Sequence, residues 1–106
     1  MPETAWGSLM MKARARELAE SNPSITVKLK CAGSLCIERD GNLFALYYIN
    51  NSEHPSVRRI GSVRRGVIEG ALPIMGFGTA TIETKIGNLE LYDRREILRL
   101  KKWMKV

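Results

Sequence analysis

Leu35-Cys36-Ile37-Glu38-Arg39-Asp40-Gly41-Asn42-Leu43-Phe44-Ala45-Leu46-Tyr47-Tyr48-Ile49-Asn50 is the stretch that decides the fold. Asp-Gly between two apolar runs is a strong hairpin signal, because these residues accept the positive φ values that tight turns between twisted strands require. The reading places one arm over residues 35–39 and the other over 42–50. The second arm is apolar at both parities from Leu43 to Ile49. A strand of that kind belongs inside a sheet and is covered on both faces.

The pattern continues on both sides. Ile25, Val27 and Leu29 alternate with Thr26, Lys28 and Lys30, which predicts a half-exposed strand. Ala32-Gly33-Ser34 is expected to turn the chain into the hairpin. Residues 57–60 and 62–68 read as two short strands, each with an Arg pair, and 70–78 as irregular. Ala80, Ile82, Thr84 and Ile86 alternate with polar residues, and Gly87-Asn88 then predicts a second hairpin returning through 89–92.

Helices are expected at both ends. Residues 1–20 carry Trp6, Leu9, Met10 and Ala13 on one helical face and Met11, Ala15 and Leu18 on another, before Asn22-Pro23 stops the helix. Apolar residues on two sides call for burial on two sides. Trp6, Met10, Met11 and Leu18 are therefore the expected interface of a homo-oligomer. At the other end, Asp93 and Glu96 form a capping-box pair ahead of Ile97, Leu100, Trp103 and Met104, which share a face. The expected architecture is α+β. A single domain over residues 1–106 holds an antiparallel sheet of about five to seven strands, flanked by an N-terminal and a C-terminal helix.

Charge narrows the function. Seventeen Lys and Arg against eleven Asp and Glu leave a net +6. Residues 1–53 hold six of each sign, so the whole excess falls in 54–106, with eleven basic and five acidic residues. Such asymmetry predicts one positive face meeting an acidic partner. Solvation of an ordinary surface is the competing explanation. Arg58, Arg59, Arg64 and Arg65 form two pairs within eight positions. Adjacent strand residues point to opposite faces, so one Arg of each pair can reach a common surface and fork onto phosphate oxygens. Edge protection would also favour charges there. Arg94, Arg95, Arg99, Lys101, Lys102 and Lys105 give the last helix a basic face suited to phosphates or anionic lipid.

No motif supports catalysis. His54 lies in a turn, and Cys31, Cys36 and Ser56 are nucleophiles only by default. Zinc needs about four ligands, and the two cysteines with one histidine lack the usual spacing. Neither a metal nor a cofactor is expected, and the cysteines are read as structural thiols. Gly76-Phe77-Gly78 departs from the RRM core motif, with Met75 in place of the basic residue and Thr79 and Thr81 in place of aromatics. The pair Tyr47-Tyr48 can offer one ring to a base if that sheet face is open.

The expectation is a non-catalytic protein that binds nucleic acid through backbone phosphates, RNA ahead of DNA. A viral accessory, silencing-suppressor or matrix-like role suits its size and charge. No secretion leader or membrane span is read, so the cytoplasm is the expected compartment, or a nucleus or virion reached from it. Two alternatives remain: a peripheral protein on anionic membrane, and a protein–protein module of a larger assembly.

Overall fold

The computed structural model describes residues 23–74 and 78–105. Among these, six strands and two helices form an α+β fold. The strands are β1 (Ser24–Lys28), β2 (Gly33–Asp40), β3 (Leu43–Asn50), β4 (Ser56–Arg64), β5 (Thr81–Thr84) and β6 (Gly87–Glu90). The helices are α1 (Arg65–Ala71), which follows β4 directly, and α2 (Arg94–Met104). The antiparallel sheet of about five to seven strands resolves into a four-stranded meander, β1-β2-β3-β4, and a separate β5–β6 hairpin. The N-terminal helix and its interface residues Trp6, Met10, Met11 and Leu18 lie outside the described residues.

The Asp40-Gly41 signal marks a true hairpin, displaced by one residue. Asp40 pairs with Leu43, so the loop is Gly41-Asn42. Gly41 alone takes positive φ (60°) there, the arrangement of a type II′ turn with glycine first. The apolar arm, β3, lies between β2 and β4 as its composition predicts. Phe44, Ala45 and Leu46 are buried, whereas Tyr47, Tyr48 and Ile49 are half-buried.

The turn into β2 is also displaced, to residues 30–32, and Ala32 takes the left-handed conformation (φ 62°). Gly33 starts β2 for a different reason. A Cβ there would stand 2.5 Å from the Tyr48 hydroxyl, so the ring occupies the space a side chain would need. The second hairpin turns at Lys85-Ile86, two residues before the expected place, and Gly87 carries the positive φ (119°).

One expected strand is a helix. Residues 62–68 do not form a separate strand: β4 runs through to Arg64 and Arg65 opens α1. The β-branched Val67 and Ile68 suggested a strand, but tertiary packing overrides that weak preference. Ile68 is fully buried, and Arg65 reaches Glu69 one turn on. Leu72 is extended (ψ 127°), as the residue before Pro73 must be, and ends the helix.

The core lies on one face of the meander. Val27, Leu29, Leu35, Ile37, Phe44 and Leu46 supply that inner face. Ile68, Ile82 and Leu89 close it from α1 and the hairpin, and Ile97, Leu100, Trp103 and Met104 from α2. Each such aliphatic side chain contributes roughly 1.5–3 kcal/mol of burial. Leu29 bridges to Leu91, with Lys30 N donating to Glu90 O (3.0 Å) and Tyr92 N to Lys28 O (2.9 Å). That bridge covers the β1 end of the sheet, leaving β4 as the edge strand. Among the described residues no helix is long and apolar enough to cross a membrane.

Candidate nucleic-acid interface

The site begins with one irregularity in β4. Leu46 pairs with Gly61, but the next residue, Tyr47, pairs with Arg59. Ile60 is the extra residue of a β-bulge, and its side chain is buried in the core. Gly61 follows with φ 128°, a value that side-chain-bearing residues rarely adopt.

The bulge reverses the parity of the strand. Under strict alternation Arg59 and Arg64, five apart, would point to opposite faces. The inserted residue returns them to the same one: Arg59 opposes Tyr47, Ser62 opposes Ala45 and Arg64 opposes Leu43. These positions form the outer face of the meander, opposite the core. Arg58 opposes Tyr48 and belongs to the inner face. One Arg of each pair therefore reaches a common surface, while Arg65 lies in α1.

On the outer face, the Arg59 guanidinium lies 6.0 Å from the Tyr47 ring centroid and donates to Ser62 Oγ (3.1 Å). Its ion pair with Asp40 is long (4.0 Å) and exposed. Arg58 and Arg64 are exposed and have no partner among the described residues. Burial raises the Tyr48 pKa above its ordinary value, and the neighbouring Cys31 adds to the shift.

A further cation, absent from the sequence-based set, joins β4. Lys85 is at the tip of the β5–β6 hairpin, and its stem lies along Gly61, with Cε 3.5 Å from where a Cβ on that glycine would stand. Between bulge and tip is a notch of about 360 Å³ lined by Arg58, Arg59, Ile60, Gly61, Lys85 and Ile86. A second cleft of about 290 Å³ shares Ile60, Gly61 and Lys85 and runs along Ser62, Val63, Glu83 and Thr84. No local pattern marks Lys85 as a site residue. Its place depends on a contact between positions 24 apart in the chain.

The C-terminal helix is different. Asp93 caps it, accepting from the backbone N–H of Arg95 (2.9 Å) and of Glu96 (3.3 Å). Burial pushes the Asp93 carboxyl up, but the Arg95 side chain and these backbone donors outweigh it and hold its pKa below the usual value. The capping box is only half made. Glu96 does not reach back to Asp93 but accepts from Lys28 N of β1 (2.9 Å) and from Arg99 (2.8 Å).

Most of the predicted helical binders are engaged within the fold. Arg95 pairs with Asp93 (3.0 Å) and Arg99 with Glu96. Lys101 Nζ donates to the carbonyls of Pro73 and Ile74, both at 3.0 Å. Arg94 is not free either. Lys102 and Lys105 remain exposed without a partner among the described residues. Arg65 donates to the Met104 carbonyl and Arg39 to that of Trp103 (2.7 Å), so two arginines close the C-terminus of α2. Arg39 also stacks on Trp103, 4.0 Å from the ring centroid.

The remaining candidates are at the surface or half-buried. His54 lies in the exposed bend between β3 and β4. Cys31 and Cys36 are free thiols, the first exposed in the β1–β2 turn and the second half-buried on β2. Among the described residues no three His, Cys, Asp or Glu side chains are placed to hold a metal ion. Comparison with family models, curated proteins and solved structures gave no match.

Proposed function

We propose that the protein binds single-stranded nucleic acid, RNA ahead of DNA, without catalysing a reaction. The observation that carries this is the bulge, which aligns Arg59 and Arg64 on one face beside Tyr47. Two forked cations along an edge strand can follow successive phosphates. A half-buried tyrosine across from Arg59 offers a surface on which an unstacked base can lie. Single strands with splayed bases are the usual target of aromatic and arginine surfaces of this type, and in cells these are mostly RNA. Edge protection explains charge on β4 but not the placing of an aromatic ring beside it.

The engaged helix weighs against the peripheral-membrane alternative. A basic helix lying on anionic lipid needs its cations unpaired, and here Arg95 and Arg99 pair with Asp93 and Glu96 and Lys101 donates to two backbone carbonyls. The homo-oligomer expected from residues 1–20 belongs to the same proposal, and sedimentation equilibrium checks it. The viral, silencing-suppressor or matrix-like role rests on size and charge.

The test is fluorescence anisotropy with labelled single-stranded RNA, double-stranded RNA and single-stranded DNA of mixed sequence across a salt series. The expected result is tightest binding to the single-stranded RNA, with log Kd rising steeply with log salt, and strong weakening by Arg59→Ala with Arg64→Ala. Weak or salt-independent binding to all three would remove the reading.

A further inference from the structure

We propose that the notch between the β4 bulge and the tip of the β5–β6 hairpin is a phosphate subsite. Arg58, Arg59 and Lys85 hold it, and it receives one backbone phosphate of the polynucleotide whose neighbouring nucleotides lie on the Arg59–Arg64 face. It rests on the nucleic-acid reading above and adds a second anchoring point, around the sheet edge from the first.

Three observations support the site. First, half of its six lining residues are cations and none is an acid. Glu83 of the hairpin lines the adjoining cleft instead, and Asp40 meets Arg59 only in a long, exposed ion pair (4.0 Å). Second, the stem of Lys85 packs against the bulge. Its Cδ and Cε run 3.6 and 3.5 Å from the Cβ position of Gly61, so the stem lies in a track along the bulge. An ammonium on a supported stem loses less freedom on binding than one on a free stem, and that raises its affinity for an anion. Third, the site is continuous with the outer face. Arg59 lines the notch and also opposes Tyr47, so one guanidinium borders both surfaces.

The chemistry fits a phosphodiester. Arg58 presents a planar fork and Lys85 a point charge, and together they can neutralise one phosphate from two directions. β4 has no strand partner on its outer side among the described residues, so main-chain N–H groups along that edge are available as further donors. The bulge is what brings these groups together: without Ile60 inserted, Arg58 and Arg59 would exchange faces relative to Arg64.

Two measurements test the site, on the full chain. The first follows backbone amide shifts in ¹⁵N spectra while inorganic pyrophosphate is titrated into the wild type and into Arg58→Gln/Lys85→Gln. Saturable shifts centred on Gly61, Lys85 and Ile86 are expected, and their loss in the double variant, whose unchanged spectrum elsewhere shows that it folds. Shifts of equal size at Lys102 and Lys105 would mean unspecific screening and would overturn the site. The second is the salt dependence of single-stranded RNA binding. Each lost phosphate contact lowers the log–log slope by about 0.7, and the notch holds one phosphate, so the slope of the double variant should fall by about 0.7.

The two readings fail in different ways. If Arg59→Ala with Arg64→Ala weakens RNA binding while Arg58→Gln/Lys85→Gln leaves the slope untouched, the notch falls and the nucleic-acid function stands. If pyrophosphate saturates the notch but the wild type binds no RNA, or binds phosphatidylserine vesicles in its place, the polynucleotide assignment is overturned.

Discussion

Strand β4 and helix α2 are the two cation-rich segments of the chain, and the fold uses them in opposite ways. In α2 most of the charges are exposed but bonded to the chain's own groups. Arg95 closes on the cap, Arg99 on Glu96 and Lys101 on two carbonyls of the 73–74 segment. On β4, Arg58 and Arg64 have no partner among the described residues, and Arg59 holds a long, exposed ion pair with Asp40 and a hydrogen bond to Ser62 Oγ. A count of positive charge would rank the helix with its C-cap Lys105 first, with six cations against four in the 58–65 segment. Satisfaction reverses the ranking: a cation already bonded to its own protein must give up that bond before it can serve a ligand.

The largest expected effect breaks the comparison if it fails. Replacing Arg58, Arg59, Arg64 and Lys85 together by Ala should weaken single-stranded RNA binding by about 100-fold or more, since each charged hydrogen bond is worth roughly 1.5–3 kcal/mol before losses to solvent. The matching helical variant, Arg95→Ala with Arg99→Ala, Lys102→Ala and Lys105→Ala, should change affinity by no more than about threefold, because exposed charges act mainly through the screened field. Anisotropy at fixed salt reads both, and equal losses would show that the surface acts by net charge alone.

Next is the acid that ties the helix to the sheet. Glu96 is 8% exposed and accepts from both β1 and Arg99. Glu96→Ala should destabilise the fold by about 2 kcal/mol, because it leaves the Lys28 N–H without its partner. Urea denaturation measures this, and RNA affinity at low denaturant should stay unchanged.

Gly61→Ala should cost about 1–3 kcal/mol through strain at positive φ, since a Cβ there meets only ordinary contacts with Lys85. It should also weaken RNA binding more than its stability loss explains, by shifting the bulge that aligns Arg59 with Arg64. Arg65→Ala sharpens the contrast from the other side. This residue, expected among the phosphate binders, holds Glu69 and the end of α2. Its loss should cost about 1 kcal/mol of stability and leave the salt slope of RNA binding as it was.

The smallest effect is acid sensitivity of the cap. The Asp93 pKa is lowered in the folded chain, so its contribution is full above the unfolded value and fades as pH falls through the folded one. Asp93→Asn should flatten the stability curve across that acid range, with its loss of stability largest at neutral pH and vanishing below the folded pKa. Thermal melts of both proteins over the range check the sign.

Parts of this molecule were legible in its residues, and the reason differs from part to part. The central hairpin and the burial of β3 followed from a local turn and a composition that only an inner position satisfies. The cap and apolar face of α2 followed from residues three and four apart, which share a helical face whatever surrounds them. The helix at Arg65–Ala71 was hidden, because Val67 and Ile68 suit a strand as well as a helix. The turns missed by one or two positions for a related reason: Asp-Gly and Gly-Asn state that the chain turns, whereas cross-strand pairing decides which residue takes the positive φ.

What the amino-acid sequence determined by itself is the inventory: α+β elements, an inner apolar strand, a capped C-terminal helix and a positive second half. These rest on short-range periodicity, which a chain carries wherever it folds. Which arginines can meet a ligand was decided only by tertiary structure. Period-two alternation sets Arg59 against Arg64, and a single inserted residue, Ile60, puts them together. The bulge exists because Ile60 finds a place in a core built from both helices and the hairpin. The same packing lays Lys85 along Gly61 and ties Arg65 to the end of α2, contacts between residues too far apart in the chain for any local pattern to record.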